Sequence, residues 1–444
     1  TSSFCSARYF TYKFPFEFGL EENDLKFKSA YVLSEIPVTP QKGSFSCSDI
    51  MLNSIWNAGT KTVLNCIFPH EHSYSSRSVI QPDRLNFVNS WKGEKNTLVL
   101  VDGPRRDREV WVGDLLPEIR TCWYSFADRN TIKNSLQIFL DQQRDDGFIP
   151  ASSVSYQNFS EYCCWFIVVF HEYILFSGDI EYLKSENGKI IKLLEYINGI
   201  LDSKGMLDLD IMQTWAWTLA RKGNVTSSQC VLYRAWTCAS NLQRWIGNNE
   251  LSENYNSRSL KLKDNIIEFG WDEKAGAFKS VCTPNGDRKY SLDANVYAVI
   301  FGIGDGNKNI RCLDFIRENM STQYGTKLLF PPEVPNGRNW PHNEHIWPFA
   351  VGFEVEALFM TGMQDKAFEL LDACWGNMIR KGSDTFWEVV DVNTGDFMKE
   401  RLHNPGEGID TWNSYCHGWS AGVSYLMQAF IAGIIPTEPG FSKF

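Results

Sequence analysis

The sequence predicts a mainly α-helical chain closed into an (α/α)6 barrel, a toroid of six helical hairpins preceded by a short β-strand segment. Three observations predict it. Helical periodicity recurs in about twelve segments, several are joined by tight Gly-centred turns, and helices that are apolar nearly all round alternate with helices apolar on one stripe.

Residues 1–46 come first and stand apart. "ARYFTYKFPFEF" and "KFKSAYVLSEIPVT" alternate apolar with polar residues, the two-residue period of half-buried strands, and read as a possible remnant of an N-terminal β-sandwich. The barrel is expected over 47–444. After "SFSCSD", Ser48 or Asp49 caps the first helix, and helices are expected over 49–66, 112–128, 130–144, 160–177, 179–200, 226–247, 251–268, 292–302, 307–320, 348–361, 363–380 and 413–433. Gly178 followed by Asp179 makes a hairpin turn, because Gly tolerates the left-handed position past a helix and Asp accepts from free N–H groups at the next start. Gly362 repeats the device. "YCCWFIVVFHEYILF" reads as an inner helix. "KAFELLDACWGNMI", with Phe368, Leu371, Trp375 and Met378 on one stripe, reads as an outer one. In such a toroid, loops at one end of the inner helices meet at a central pocket.

Composition narrows the function. The 444 residues suffice for a large core. A net charge of −10 argues against nucleic acid as a partner, and the chain lacks a run of eighteen apolar residues, so no membrane span is predicted. Sixteen Trp serve mainly packing, but sugar-binding clefts also recruit Trp faces, a mild pointer to a carbohydrate partner. The twelve Cys form no CxxC pair, and "HNEH" at 342–345 lacks the i, i+4 histidines of a helical zinc site, so neither metal nor other cofactor is expected. Cys163 and Cys164 are expected as buried thiols. Sequons at Asn158, Asn224 and Asn319 are compatible with secretion, although the chain opens at Thr1 without a signal-peptide pattern.

The chemistry concentrates in "LVDGPRRDREVWVGDLLPE", residues 100–118, where Asp102, Asp107 and Asp114 share a loop and helix start with Arg105, Arg106, Arg108 and Trp111. Clustered anions raise one another's pKa and flanking arginines lower it, a mixture that can keep one carboxyl protonated beside ionised neighbours. A general acid of glycoside hydrolysis needs that arrangement. The plain alternative is Asp114 as a helix cap within a surface Arg/Asp network. The required second carboxylate is best matched downstream by Glu388, beside Trp387 in the otherwise apolar "SDTFWEVVD"; Glu344 in "NWPHNEHIWP" competes.

"GSFSCSDIMLNSIWNAGTKTV", "DGPRRDREVWVGD", "DTFWEVVD" and "NSYCHGWSAGVSYLMQAFIAGIIP", in that order, resemble the six-hairpin catalytic domain of the α-L-rhamnosidases of glycoside hydrolase family 78, over about residues 44–438. The resemblance implies an inverting exo-glycosidase. Asp107, last in a D-x-P-x-R-[DE] segment, matches the acid and Glu388 the base. Asp102, Arg106, Trp111 and Asp114 match residues that hold the rhamnose ring. Trp165 and Trp215 match aromatic walls, Trp387 beside the base is expected to contact the sugar as well, and His417 matches a hydroxyl-binding histidine. Three departures bear on this. Arg108 stands where many members have Glu, which leaves Glu109 as an alternative acid. Thr214 stands where an Asp often precedes the tryptophan, which bears on the sugar. The family's flanking β-sandwiches are missing, as in a fragment, a minimal form or one chain of a cleaved protein. Two alternatives therefore stand beside a rhamnosidase: a six-hairpin glycosidase for another sugar, and a catalytically silent sugar-binding homologue.

Overall fold

The computed structural model describes residues 39–73, 93–105, 107–154, 159–216, 219–283, 288–332, 345–398 and 413–444. Its helices, in chain order, are α1 Ile50–Asn65, α2 Val112–Phe126, α3 Arg129–Asp141, α4 Ser160–Ser177, α5 Ile180–Gly199, α6 Thr226–Trp245, α7 Asn249–Gly270, α8 Leu292–Ile300, α9 Gly306–Asn319, α10 Pro348–Met360, α11 Gln364–Leu371 and α12 Val423–Leu426. A π turn, Asp372–Gly376, carries α11 on into Asn377–Arg380. The short α12 is flanked by a 3-10 turn, Gly418–Gly422, and a π turn, Met427–Ile431. Among the described residues, four two-stranded antiparallel sheets decorate the connections.

Capping follows the expected chemistry. Asp49 accepts the N–H groups of Met51 and Leu52 at the head of α1. Gly178, at φ 68°, ends α4, and Asp179 accepts from Tyr182 N–H to start α5; Gly362, at φ 78°, turns α10 into α11.

The helices form two concentric rings. α2, α4, α6, α8, α10 and the α12 segment each pack on the next, and the α12 segment packs back on α2. Outside them α5 lies on α4, α7 on α6, α9 on α8 and α11 on α10; α3 lies against α4, and α1 against α12 and α2. The sixth hairpin thus joins the two ends of the barrel. Polarity matches position: every residue from Ser160 to Ile174 in α4 is buried, whereas α11 buries Leu371, Trp375 and Met378 along one stripe.

The last helical segment starts at Gly418, not at 413, because 413–417 is a bent, non-helical stretch that pairs with 386–388: Glu388 N–H donates to Ser414 O at 2.9 Å and His417 N–H to Phe386 O at 2.9 Å. The strand-like stretch lies mostly outside the described residues, and 39–46 contain no strand.

The first turns of the inner helices meet at one end. Ser228 of α6 donates to Glu161 of α4, Arg221 bonds both Ser227 of α6 and Asp293 of α8, and Phe349 of α10 packs against Trp419 of the 3-10 turn. Asp114, Glu161 and Asp293 all occupy first turns, where the positive end of the helix dipole favours carboxylates. Acidic groups therefore gather at this end of the barrel.

Candidate active site

A short ribbon delivers the aspartate-rich loop. β1 (Ile67–Pro69) pairs antiparallel with β2 (Leu98–Leu100), and Val101 N–H donates to Cys66 O at 2.8 Å. The loop then closes on Asp102. Its N–H donates to Glu109 O at 2.9 Å, its Oδ2 accepts from Asp107 N–H at 2.7 Å, and its Oδ1 accepts from Glu109 N–H at 2.9 Å. Arg108 takes a left-handed φ of 61° to complete the turn. Asp102 is thus the staple of the aspartate-rich loop. Its own carbonyl accepts from Gly418 N–H at 2.7 Å, fastening the loop to the segment that carries His417.

His417 is the point of convergence. Its Nε2 lies 3.8 Å from Asp102 Oδ2 and 4.0 Å from Glu388 Oε1, and its Nδ1 lies 3.8 Å from Asp114 Oδ2. Residues far apart in the chain, the loop ahead of α2 and the "WE" of 387–388, therefore reach one imidazole. The other Glu388 oxygen, Oε2, accepts from Ser414 N–H at 2.7 Å, which fixes the carboxylate.

Burial and like charge push these carboxyls upward. For Asp102, burial and then Asp107 and Asp114 raise the pKa well above the usual range against two backbone N–H donors. For Asp114, burial, Glu388 and Asp107 do the same against its own backbone N–H. Asp107 is partly exposed, whereas Glu109 is buried with Oε2 accepting from Ser152 Oγ at 3.0 Å.

An aromatic floor lies beside this cluster. The His417 ring stacks on Trp419 at 4.3 Å between centroids, and Trp419 packs against Trp347, Phe349 and Trp215. Trp215 is held by a hydrogen bond of 3.0 Å from Nε1 to Asp293 Oδ2, and Asp293 is clamped by Arg221 through two bonds of 2.8 Å. Burial pushes Asp293 up, but the charge and hydrogen bonds of Arg221 outweigh it and hold the carboxyl below its usual range. Trp111 is half-buried against Phe159 and Tyr162. Thr214, before Trp215, is buried, and its hydroxyl has no hydrogen-bond partner among the described residues.

Not every expected wall faces the site. Trp165 has 0 % exposure, enclosed by Tyr297, Phe301 and Phe353 with Nε1 donating to Glu161, so it packs the core and offers no face to a ligand. Trp387 points away from Glu388, as successive residues of an extended segment must, toward Phe397 and Tyr415. Arg106 and Glu344 lie outside the described residues. Trp347, Trp419 and Glu118 were not singled out from the sequence. Trp419 sits two residues past His417, and Glu118 four past Asp114 on the same helix face, a spacing that could have flagged it.

Among the described residues no group of three or more His, Cys, Asp or Glu side chains has metal-holding geometry. Residues 84–431 match the family model of the bacterial alpha-L-rhamnosidase 6 hairpin glycosidase domain. Among solved structures, the chain is similar to a rhamnosidase from Klebsiella oxytoca with rhamnose bound, at TM-score 0.68 and 22 % identity over 88 % of this chain and 66 % of that one. A GH78 family rhamnosidase of Bacillus sp. GL1 gives TM-score 0.68 and 22 % identity over 91 % of this chain and 37 % of that one. The Streptomyces avermitilis alpha-L-rhamnosidase complexed with L-rhamnose gives 0.55 and 18 %, over 81 % and 33 %. This chain thus spans less than two thirds of each of these three. No curated protein matches it by sequence. With its closed inner ring of helices and a family match over most of its length, the chain belongs to the bacterial α-L-rhamnosidase six-hairpin glycosidase family, a glycoside hydrolase domain.

Proposed function

We propose that this domain removes terminal α-L-rhamnosyl residues from glycosides or polysaccharides by a single inverting displacement. The observation that carries the proposal is the meeting of Asp102, Asp114 and Glu388 at His417. Asp107 protonates the leaving oxygen. Its partial exposure suits a group that must reach the glycosidic bond, whereas Glu109 is buried under Ser152. Glu388, oriented by Ser414 N–H, takes the proton of the attacking water. Inversion requires room for that water, with the two carboxyl groups roughly 6.5–9.5 Å apart.

Asp114, His417 and Arg106 hold the hydroxyls, and Trp111, Trp215 and Trp419 offer apolar faces. L-rhamnose, whose C6 is a methyl group, gains from such faces. Rhamnose bound in the Klebsiella oxytoca and Streptomyces avermitilis proteins supports the same sugar here. A second reading, a different terminal sugar, is favoured by Thr214, a neutral hydroxyl at the position before Trp215 where the family often carries a carboxylate.

One experiment tests the proposal. Proton NMR of the sugar released from p-nitrophenyl α-L-rhamnoside is expected to show β-L-rhamnose first, followed by mutarotation. Release from another p-nitrophenyl glycoside alone would select the second reading. No release from any of them would make the domain a silent sugar binder, and first-formed α-rhamnose would end the inverting assignment.

A further inference from the structure

The buried carboxyl group that the proposed reaction leaves unused is Glu118. It lies one turn beyond Asp114 on α2, on the same face. Its exposure is 1 %, and neither carboxyl oxygen has a hydrogen-bond partner among the described residues. Facing it are Asp114 of α2, Asp102 of the acid loop and Cys416 of the segment before His417, with Cys66 and Cys122 also within electrostatic reach. Among the described residues no cation figures among the groups that shift it.

The slot that holds Glu118 is made by a missing side chain. A Cβ on Gly418 would fall 1.8 Å from Glu118 Oε1 and 2.8 Å from its Cγ. Gly418 is also the residue whose N–H fastens Asp102. Glu118 is therefore wedged beneath the junction of the acid loop and the His417 segment.

Charge cannot be shared equally in such a group. Asp102 accepts two backbone N–H groups, and Asp114 lies at a helix N-terminus, so each has a donor to support an anion. Glu118 has none, and an ionised carboxyl without donors in a buried site beside two anions is strongly disfavoured. We propose that Glu118 is a positioning residue, the carboxyl on which the buried cluster keeps its proton, so that Asp102 and Asp114 stay ionised against His417 while the sugar is bound. Burial, Asp114 and Asp102 all raise the Glu118 pKa well above the usual range, in agreement. The part played in turnover rests on the proposed function; the location of the proton does not.

A carboxyl kept neutral by the fold contributes stability that is complete below its ordinary value and is lost as pH rises, because the unfolded chain ionises first. Glu118→Gln removes that loss. Its Tm relative to the parent is expected to climb by about 2 °C per pH unit between pH 5 and 8. An infrared band of a protonated carboxyl, present in the parent at pH 7, should vanish. The alkaline limb of kcat/KM should move to higher pH, and Glu118→Asp should restore the parent's profile. A Tm difference flat or falling with pH, or an unchanged infrared band, would overturn the proposal. If the domain releases no rhamnose, the proposed function fails while the thermal and infrared arms still decide where the proton sits.

Discussion

Helix α2 carries two buried charged groups of opposite character. At its N-terminal end Asp114 and Glu118 join Asp102 and Glu388, and burial with like charge drives Asp102, Asp114 and Glu118 upward. Past Pro117, Arg120 bonds Glu172 of α4 at 3.0 and 3.1 Å, Glu356 of α10 at 3.2 Å and Tyr425 of α12 at 2.8 Å. There burial again pushes Glu172 up, but Arg120, followed by Arg234, outweighs it and holds the carboxyl at about 2. Equally buried carboxyls packed on the two parts of one helix thus have opposite proton affinity. Electrostatic compensation marks the Arg120 group as a lock between inner helices. Like-charge crowding in the other group is what general acid–base chemistry uses.

The strongest test of this contrast removes the carboxylate proposed as the base. Glu388→Gln is expected to lower kcat by about 10³-fold, with Tm within a few degrees of the parent. Full turnover in that variant would show that the crowded group is not where the reaction occurs. Arg120→Met attacks the other side. Removing the guanidinium that bonds both carboxylates, with Arg234 left near Glu172 alone, should cost about 3 kcal/mol in urea denaturation while kcat/KM of the folded protein changes little. A stable Arg120→Met with collapsed activity would reverse the roles assigned to the two groups. Glu172→Gln sharpens the comparison by pH. A carboxyl held below its unfolded value adds stability above that value and loses it as pH falls, here from about 4.5 to about 2. Glu172→Gln should therefore be about 3 kcal/mol less stable near neutrality, with the gap closing below pH 4. The sign is opposite to that expected for Glu118→Gln.

Much of this was legible in the chain. Period, Gly178, Gly362 and Asp49 announced the hairpins because caps and turns are local chemistry. The loop of 102–114 and Glu388 were visible because so many charges beside Trp and Pro fit neither surface nor core. What stayed hidden is pairing across the rings. Nothing near Arg120 foretells Glu356 or Tyr425, and nothing near Trp165 distinguishes a ligand wall from a core ring; its enclosure by Phe353 is decided almost 190 positions away. The last helix starts later than its sequence suggests because 413–417 bonds through its backbone to 386–388, some 27 positions earlier, a pairing that no local signal announces.

The sixth hairpin draws α1 from the start of the barrel and α12 from its end. On the ribosome, the aspartates ahead of α2 emerge long before His417 and Ser414, and until those arrive the early carboxylates remain hydrated. Circle closure and the dehydration of the acidic group are consequently a single late event. Nicking the chain between α11 and α12 should disarm the nascent domain more thoroughly than an equal cut elsewhere, since it severs the clasp and the chemistry together.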